Sequence, residues 1–142
     1  MKSKLSAWAL LPVVVLALTS CAGGAATASG EEAAASDGYV AVTDQQGAVP
    51  GFVGAADDAE TERCEAGGDG WTAEGTVTNP ENSAQSYRIY VAFNRNRDTQ
   101  GLVQVDVESV AAGATESWKA EAPVAGDDLS CVLRVERFAP QG

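Results

Sequence analysis

Residues 71–93 decide the fold, and they read WTAEGTVTNPENSAQSYRIYVAF. Two runs of alternating apolar and polar residues flank an Asn-Pro pair, a pattern that predicts a β-hairpin. In the second run apolar side chains recur at every second residue, namely Tyr87, Ile89, Val91 and Phe93. Because successive side chains of a strand point to opposite faces, these four should face a core.

The same two-residue period recurs three times downstream of this stretch. The predicted strands cover residues 71–78, 86–93, 102–109, 115–120 and 130–138. Turn-forming residues separate the strands, and no sequence between residues 71 and 138 has the apolar spacing of a helix. We therefore expect an all-β antiparallel domain, a sandwich or a small barrel, with Trp71 and Trp118 in its core.

The composition argues against several classes of function. The 142-residue chain has 9 basic and 20 acidic residues and no histidine, for a net charge of −11. Such a surface disfavours nucleic acid and anionic lipid head groups, because both carry negative charge. The lack of histidine removes the commonest general base and metal ligand. We expect no catalytic residues, no cofactor, no metal and no nucleic-acid partner.

The first 20 residues have the pattern of a secretory leader. Two lysines precede an apolar run at 5–18, which is short of the ~20 residues that a membrane span needs. The string LTSC at 18–21 resembles the lipobox of bacterial lipoprotein precursors. That resemblance implies cleavage before Cys21, a lipid on this cysteine, and a location on the extracytoplasmic face of the cell membrane. The alternative is ordinary secretion, with cleavage at a small-residue site such as 26–28.

Residues 21–63 are predicted to be a flexible, acidic linker that carries the lipid anchor. Its first part is rich in Ala, Gly, Ser and Thr, which bury too little apolar surface to offset the entropy of ordering. Two apolar islands, 39–42 and 49–53, are either short strands on the domain or sticky motifs in a disordered segment. The proline in the second island favours weak order. The predicted domain follows at 64–142.

The three cysteines divide into a single residue and a pair. Cys21 belongs to the leader, whereas Cys64 and Cys131 bracket the region of alternating residues. An exported chain folds under oxidising conditions, so a Cys64–Cys131 disulfide is expected, and two unpaired thiols are the alternative. Such a bond would matter in a domain whose core is small.

The order of strand and turn signatures resembles a known family. The chain reads GTVTN at 75–79, then Tyr-x-Ile-x-Val-x-Phe at 87–93, Val-x-Val at 105–107 and VAAGAT at 110–115, followed by Trp118. Over residues 64–138 this series is similar to the FxLYD-type, immunoglobulin-like domain of bacterial lipoproteins, although the Phe-x-Leu-Tyr-Asp string itself is absent. The resemblance implies an immunoglobulin-like β-sandwich on the outer face of a membrane, and it carries no activity.

Three residues are candidates for a binding site. Arg95 and Arg97, in the loop after the second predicted strand, suit the carboxylates or phosphates of a cell-envelope polymer or protein. The alternative is that they only keep the loop soluble. Tyr90 is an exposed aromatic anchor, a residue buried between the sheets, or one packed beneath the upstream islands. Adjacent carboxylates at 57–58 and 127–128 could share a proton or a cation, and they are expected to be solvated.

These observations give three hypotheses of function. The leading one is a membrane-anchored lipoprotein that presents a small sandwich as a binding or assembly module. The second is a structural spacer or display domain without its own ligand. The third is a carboxylate-based enzyme acting on cell-wall polymers, which would need two acids converging on one cleft.

Overall fold

The computed structural model describes residues 38–142. This part of the chain has eight strands, a single 3-10 turn at Ala56–Asp58 and no α-helix. The strands are β1 (Tyr39–Ala41), β2 (Val53–Gly54), β3 (Ala59–Gly67), β4 (Gly70–Thr78), β5 (Gln85–Arg95), β6 (Asp98–Val110), β7 (Thr115–Ala122) and β8 (Ser130–Phe138). None of its helical segments has the length and apolar character to cross a membrane. The predicted signal peptide and Cys21 lie outside the described residues.

The strands form two sheets with one core between them, so the predicted all-β architecture is confirmed. The larger sheet has the order β1-β6-β5-β8-β2, and the smaller has the order β3-β4-β7. All neighbouring strands are antiparallel except β1, which runs parallel to β6. The four alternate side chains predicted to face the core from β5 are all fully buried: Tyr87, Ile89, Val91 and Phe93. Trp71 and Trp118 face them from the smaller sheet.

The predicted hairpin between β4 and β5 is wrong, because these strands lie in different sheets. Their connection crosses from one sheet to the other and is held by the buried side chain of Asn79. Its amide nitrogen donates to the carbonyl oxygens of Ser83, Val110 and Ala111, at 2.8, 2.9 and 3.2 Å. Alternation predicted each strand but not its partner, since both strands present an apolar face to the same core.

The structured part of the chain begins upstream of the predicted boundary at residue 64. Residues 59–67 form β3, and the two apolar islands supply β1 and β2 at the edges of the larger sheet. The expected linker therefore differs from the structure over residues 38–63, and so does the expected weak order of the islands. A β-bulge between Thr61 and Arg63 interrupts the alternation of β3, which explains why the pattern did not reveal this strand.

A glycine allows the smaller sheet to close around this bulge. A side-chain carbon at Gly75 of β4 would overlap the backbone carbonyl of Glu60 and the ring of Trp118. Any other residue at this position would force one of the neighbouring strands to move. The close approach of β3 to β4 therefore depends on a position without a side chain.

A disulfide between Cys64 and Cys131 joins β3 of the smaller sheet to β8 of the larger one. The expected pairing is confirmed, with a Cα–Cα distance of 5.9 Å and a sequence separation of 67 residues. The bond therefore connects the two sheets covalently at one side of the core.

Candidate functional site

An open groove crosses the end of the sandwich at which β1 begins. The β3–β4 turn, the β5–β6 hairpin and the β7–β8 loop meet there. Two parts of the groove, of about 560 and about 480 Å³, share Tyr39 as a wall. The lining residues are Tyr39, 67–72, Arg95, Gln100 and 121–126.

The β7–β8 loop forms the floor of the groove, and side chains from both sheets fix it in place. Trp71 Nε1 of the smaller sheet donates to the carbonyl oxygen of Gly126 at 2.9 Å. Arg95 Nη2 of the larger sheet donates to the carbonyl oxygen of Ala125 at 3.2 Å. Gly126 has a φ of +127°, and the Arg95 guanidinium fills the space that a side chain there would need. The floor is therefore preorganised, which lowers the entropic cost of binding.

The structure separates the two arginines that the sequence brought together. Arg95 lines the groove, whereas Arg97 is exposed at the tip of the β5–β6 hairpin, outside the lining residues. The tight turn between them requires a positive φ, and Asn96 supplies it at +57°. A guanidinium has five N–H donors, so the contact with Ala125 leaves donors of Arg95 for a carboxylate or phosphate.

The second part of the groove carries negative charge. Asp69 in the β3–β4 turn and Glu121 at the end of β7 both line it. The Glu121 carboxylate is already engaged, because Lys119 Nζ lies 2.8 Å from its Oε1 atom. The groove thus offers a cation, Arg95, on one side of Tyr39 and, on the other, a carboxylate that forms no ion pair within residues 38–142, Asp69.

Tyr90 lies beneath the upstream segment, so the hypothesis of an exposed anchor is wrong. Only 1 % of the residue is exposed, and its hydroxyl donates to the carbonyl oxygen of Asp44 at 3.1 Å. Burial raises the pKa of the Tyr90 hydroxyl, and the Glu136 carboxylate adds to this increase. The side chain faces away from the core, as alternation predicts, and is covered from outside.

The covering segment, residues 43–52, is called the strap here. Gln104 Oε1 on β6 accepts hydrogen bonds from the backbone N–H groups of Thr43 and Asp44, at 3.2 and 3.1 Å. Arg88 on β5 pairs with the Asp44 carboxylate at 3.1 Å. The first part of the strap is thus held by polar contacts to the outer face of the larger sheet.

Glu136 is a buried carboxylate that sequence reasoning missed. Alternation along β8 places it on the outer face, yet it is 1 % exposed because the strap covers it. Its Oε1 atom accepts a hydrogen bond from the backbone N–H of Gly47 at 2.8 Å and one from Arg134 Nε at 3.2 Å. Arg134 supplies the counter-charge at this oxygen, whereas Oε2 is buried without a hydrogen-bond partner among the described residues. The contact with Gly47 ties the strap to β8.

The adjacent carboxylates at 57–58 and 127–128, expected to be solvated, do not converge, and the expectation is wrong for the half-buried Asp58. Asp58 forms an ion pair with Arg137 near the end of β8 and accepts a hydrogen bond from the Tyr87 hydroxyl at 3.1 Å. Burial and then this hydrogen bond raise the pKa of Tyr87 to about 12. Asp127 and Asp128 are exposed and precede the start of β8, so the two pairs lie at opposite ends of that strand.

Within residues 38–142, the groove with Arg95 is the site that the sequence-predicted candidates support. Residues 38–142 contain no cluster of three or more cysteine, aspartate or glutamate side chains placed to hold a metal ion. An arginine on a fixed floor beside an aromatic ring suits a ligand that combines an anionic group with an apolar part. No protein-family model, curated protein or solved structure matches the chain.

Proposed function

We propose that the protein is a lipid-anchored, extracytoplasmic lipoprotein whose immunoglobulin-like sandwich binds a cell-envelope ligand in the end groove. The observation that carries the binding role is the fixed position of Arg95, between the Ala125 carbonyl and the backbone of Gly126. An arginine whose only role was to keep the surface soluble would not need these contacts with the loop. The proposed ligand is a polymer or protein that presents a carboxylate or phosphate.

The proposed location rests on the leader and on the disulfide. Two lysines, the apolar run at 5–18 and the LTSC string at 18–21 together favour export and attachment of a lipid to Cys21. The Cys64–Cys131 bond supports the same location, because disulfides persist in oxidising compartments and are rare in the cytosol. The membrane is then a partner through the N-terminal lipid only, since the acidic surface does not attract anionic head groups.

The groove favours a ligand with an anionic group next to an apolar part. Arg95 can bind a carboxylate or phosphate through two parallel N–H donors. Tyr39, a residue that is 37 % exposed, lines the groove beside it, and a tyrosine offers an apolar face with a polar tip. A short segment of an acidic envelope polymer satisfies both requirements.

Replacement of Cys21 tests the anchor. Cys21→Ala should abolish incorporation of a labelled fatty acid and move the protein from the membrane fraction into the medium, or leave unprocessed precursor. The matched control is the double variant Cys64→Ala/Cys131→Ala, which loses two cysteines but keeps the lipid site. Unchanged membrane retention of the Cys21→Ala protein would argue against the lipid anchor and leave the binding role untouched.

Replacement of Arg95 tests the groove. Arg95→Gln should weaken co-sedimentation of the full chain with isolated cell envelopes by about 10- to 100-fold, as expected for a hydrogen bond to a charged group. Arg97→Gln is the control, because it removes the same charge two residues away and outside the groove. If both variants bind like the wild type, and deletion of residues 38–142 leaves surface crosslinks unchanged, the protein is a spacer.

A further inference from the structure

Two charged residues of the groove have no counter-ion within the described part of the chain. Arg95 lines one part of the groove and Asp69 lines the other, and both residues are exposed. Neither forms an ion pair with another described residue. The remaining carboxylate of the lining, Glu121, is already paired with Lys119. One cation and one carboxylate of the groove are thus available to a ligand.

The two available charges lie in different layers of the sandwich. Arg95 ends β5 of the larger sheet, whereas Asp69 lies in the turn between β3 and β4 of the smaller sheet. Because packed sheets lie ~10 Å apart, the two charges are about 10–14 Å apart and do not pair with each other. A ligand that engages both must therefore carry two opposite charges at a similar separation.

The middle of the groove is lined by two rings. Tyr39 and Pro123 line both parts of the groove, and both residues are exposed. The faces of these rings offer apolar surface to an aliphatic side chain. The order of groups along the groove is thus a cation, an apolar middle and a carboxylate.

The surroundings of Arg95 disfavour a ligand that has several negative charges. Asp127 and Asp128 directly follow the lining residue Gly126 and are exposed, and neither pairs with another described residue. The full chain carries a net charge of −11. A polyanion that placed one charge on Arg95 would bring its other charges towards these carboxylates. A ligand whose charges sum to zero avoids this repulsion.

We propose that the groove binds a short peptide segment with a carboxylate at one end, an ammonium group at the other and an apolar side chain between them. The carboxylate binds Arg95, the ammonium group binds Asp69, and the apolar side chain packs against Tyr39. An extended chain advances ~3.4 Å per residue, so about three or four residues span the two charges. The inference rests on the proposed function, and it narrows the ligand from any anionic group to a zwitterionic peptide.

The test uses the full chain, kept soluble in a neutral detergent, and the tripeptide Ala-Leu-Ala with free termini. Three matched probes each lack one feature: the N-acetylated tripeptide lacks the ammonium group, the C-terminal amide lacks the carboxylate, and the free dipeptide Ala-Leu is too short. Binding is followed by the backbone amide NMR shifts of residues 67–70 and 124–126. We expect each of the three probes to bind wild type at least about fivefold more weakly than the free tripeptide, as for the loss of an exposed ion pair.

Variants of the protein test the same contacts from the other side. Asp69→Asn should weaken binding of the free tripeptide by about fivefold and leave the N-acetylated probe unaffected, because that probe has no ammonium group. Arg95→Gln should weaken binding of the free tripeptide by about tenfold and leave the amide probe unaffected. Asp57→Asn and Arg97→Gln are the matched controls, because they make the same changes at exposed positions outside the groove lining. Both controls should bind within about twofold of wild type.

The failure of the inference can be separated from that of the proposed function. No binding of the free tripeptide to wild type, equal binding of the free and N-acetylated tripeptides, or an unchanged affinity of Asp69→Asn would each overturn the inference. If Arg95→Gln still weakens binding to isolated cell envelopes in those cases, the proposed function stands and the ligand is a purely anionic group. If Arg95→Gln changes neither peptide binding nor envelope binding, the proposed function fails together with the inference.

Discussion

Removal of the Cys64–Cys131 disulfide should lower the free energy of unfolding by about 4 kcal/mol. The bond closes a loop of 67 residues, and the chain-entropy relation for a loop of this length gives that value at 25 °C. Both cysteines are only half-buried, so their replacement by serine removes little packing. Single domains have net stabilities of about 5–15 kcal/mol, and the loss is therefore a large part of the total.

The double variant Cys64→Ser/Cys131→Ser isolates this effect. Cys21→Ser is the matched control, because it replaces a cysteine outside the loop and leaves the loop closed. Urea unfolding can be followed through the fluorescence of Trp71 and Trp118, which are both buried. For a unit of about 105 residues, an unfolding entropy of about 2.1 cal/mol/K per residue converts the loss into a decrease in Tm of about 18 °C.

The outcome distinguishes two roles of the bond. A decrease of less than about 1 kcal/mol in the free energy of unfolding would refute the reasoning, since it would mean that the bond does not restrict the unfolded chain. A loss with no cooperative transition remaining would show that the sheets need the bond in order to pack. Reduction of the wild-type protein should reproduce the double variant, and the oxidised Cys21→Ser protein should unfold like the oxidised wild type.

Three further changes test single contacts. Asp58→Asn should lower the pKa of Tyr87 from about 12, which tyrosinate absorbance measures. In the wild type the folded pKa is raised, so the free energy of unfolding should fall as the pH rises from about 10 to about 12. A flat pH profile would contradict this. Gly75→Ala should cost about 2–3 kcal/mol in thermal unfolding, because its side chain overlaps a facing carbonyl. Gly67→Ala, which points into open space, should be neutral by comparison. Asn79→Ala should cost about 2–4 kcal/mol in urea unfolding, because buried carbonyls lose their donor.

The strands that could be predicted are those whose alternation is set locally. In β5 the apolar period is complete from Tyr87 to Phe93, and the boundaries of β8 agree with those predicted from the sequence. In β3 the bulge breaks the period and the outward residues are charged, so no local pattern marks a strand. The partner of each strand could not be predicted, because pairing depends on residues far apart in the chain.

The candidate site was predictable only in part, for the same reason. Arg95 was found because a charged loop at the end of a sandwich is a common place for binding residues. The packing of Arg95 against Gly126 depends on a loop about 30 residues downstream, which no local sequence pattern predicts. Tyr90 and Glu136 were correctly placed on the outer face, but their burial comes from the strap, whose contacts are polar and long-range.

The position of the disulfide in the chain divides the sandwich mechanically. Residues 64–131 lie inside a covalent ring, whereas β1, the strap and β2 precede it. A pulling force on an N-terminal anchor would load β1 first, and any peeling would end at Cys64, where tension passes through sulfur directly into β8. Residues 38–63 have a contour length of about 90 Å, so the chain can lengthen by that amount less the distance the folded segment already spans, while the ring stays closed. Under the proposed lipid anchor, such a force would extend this segment before it could rupture the core.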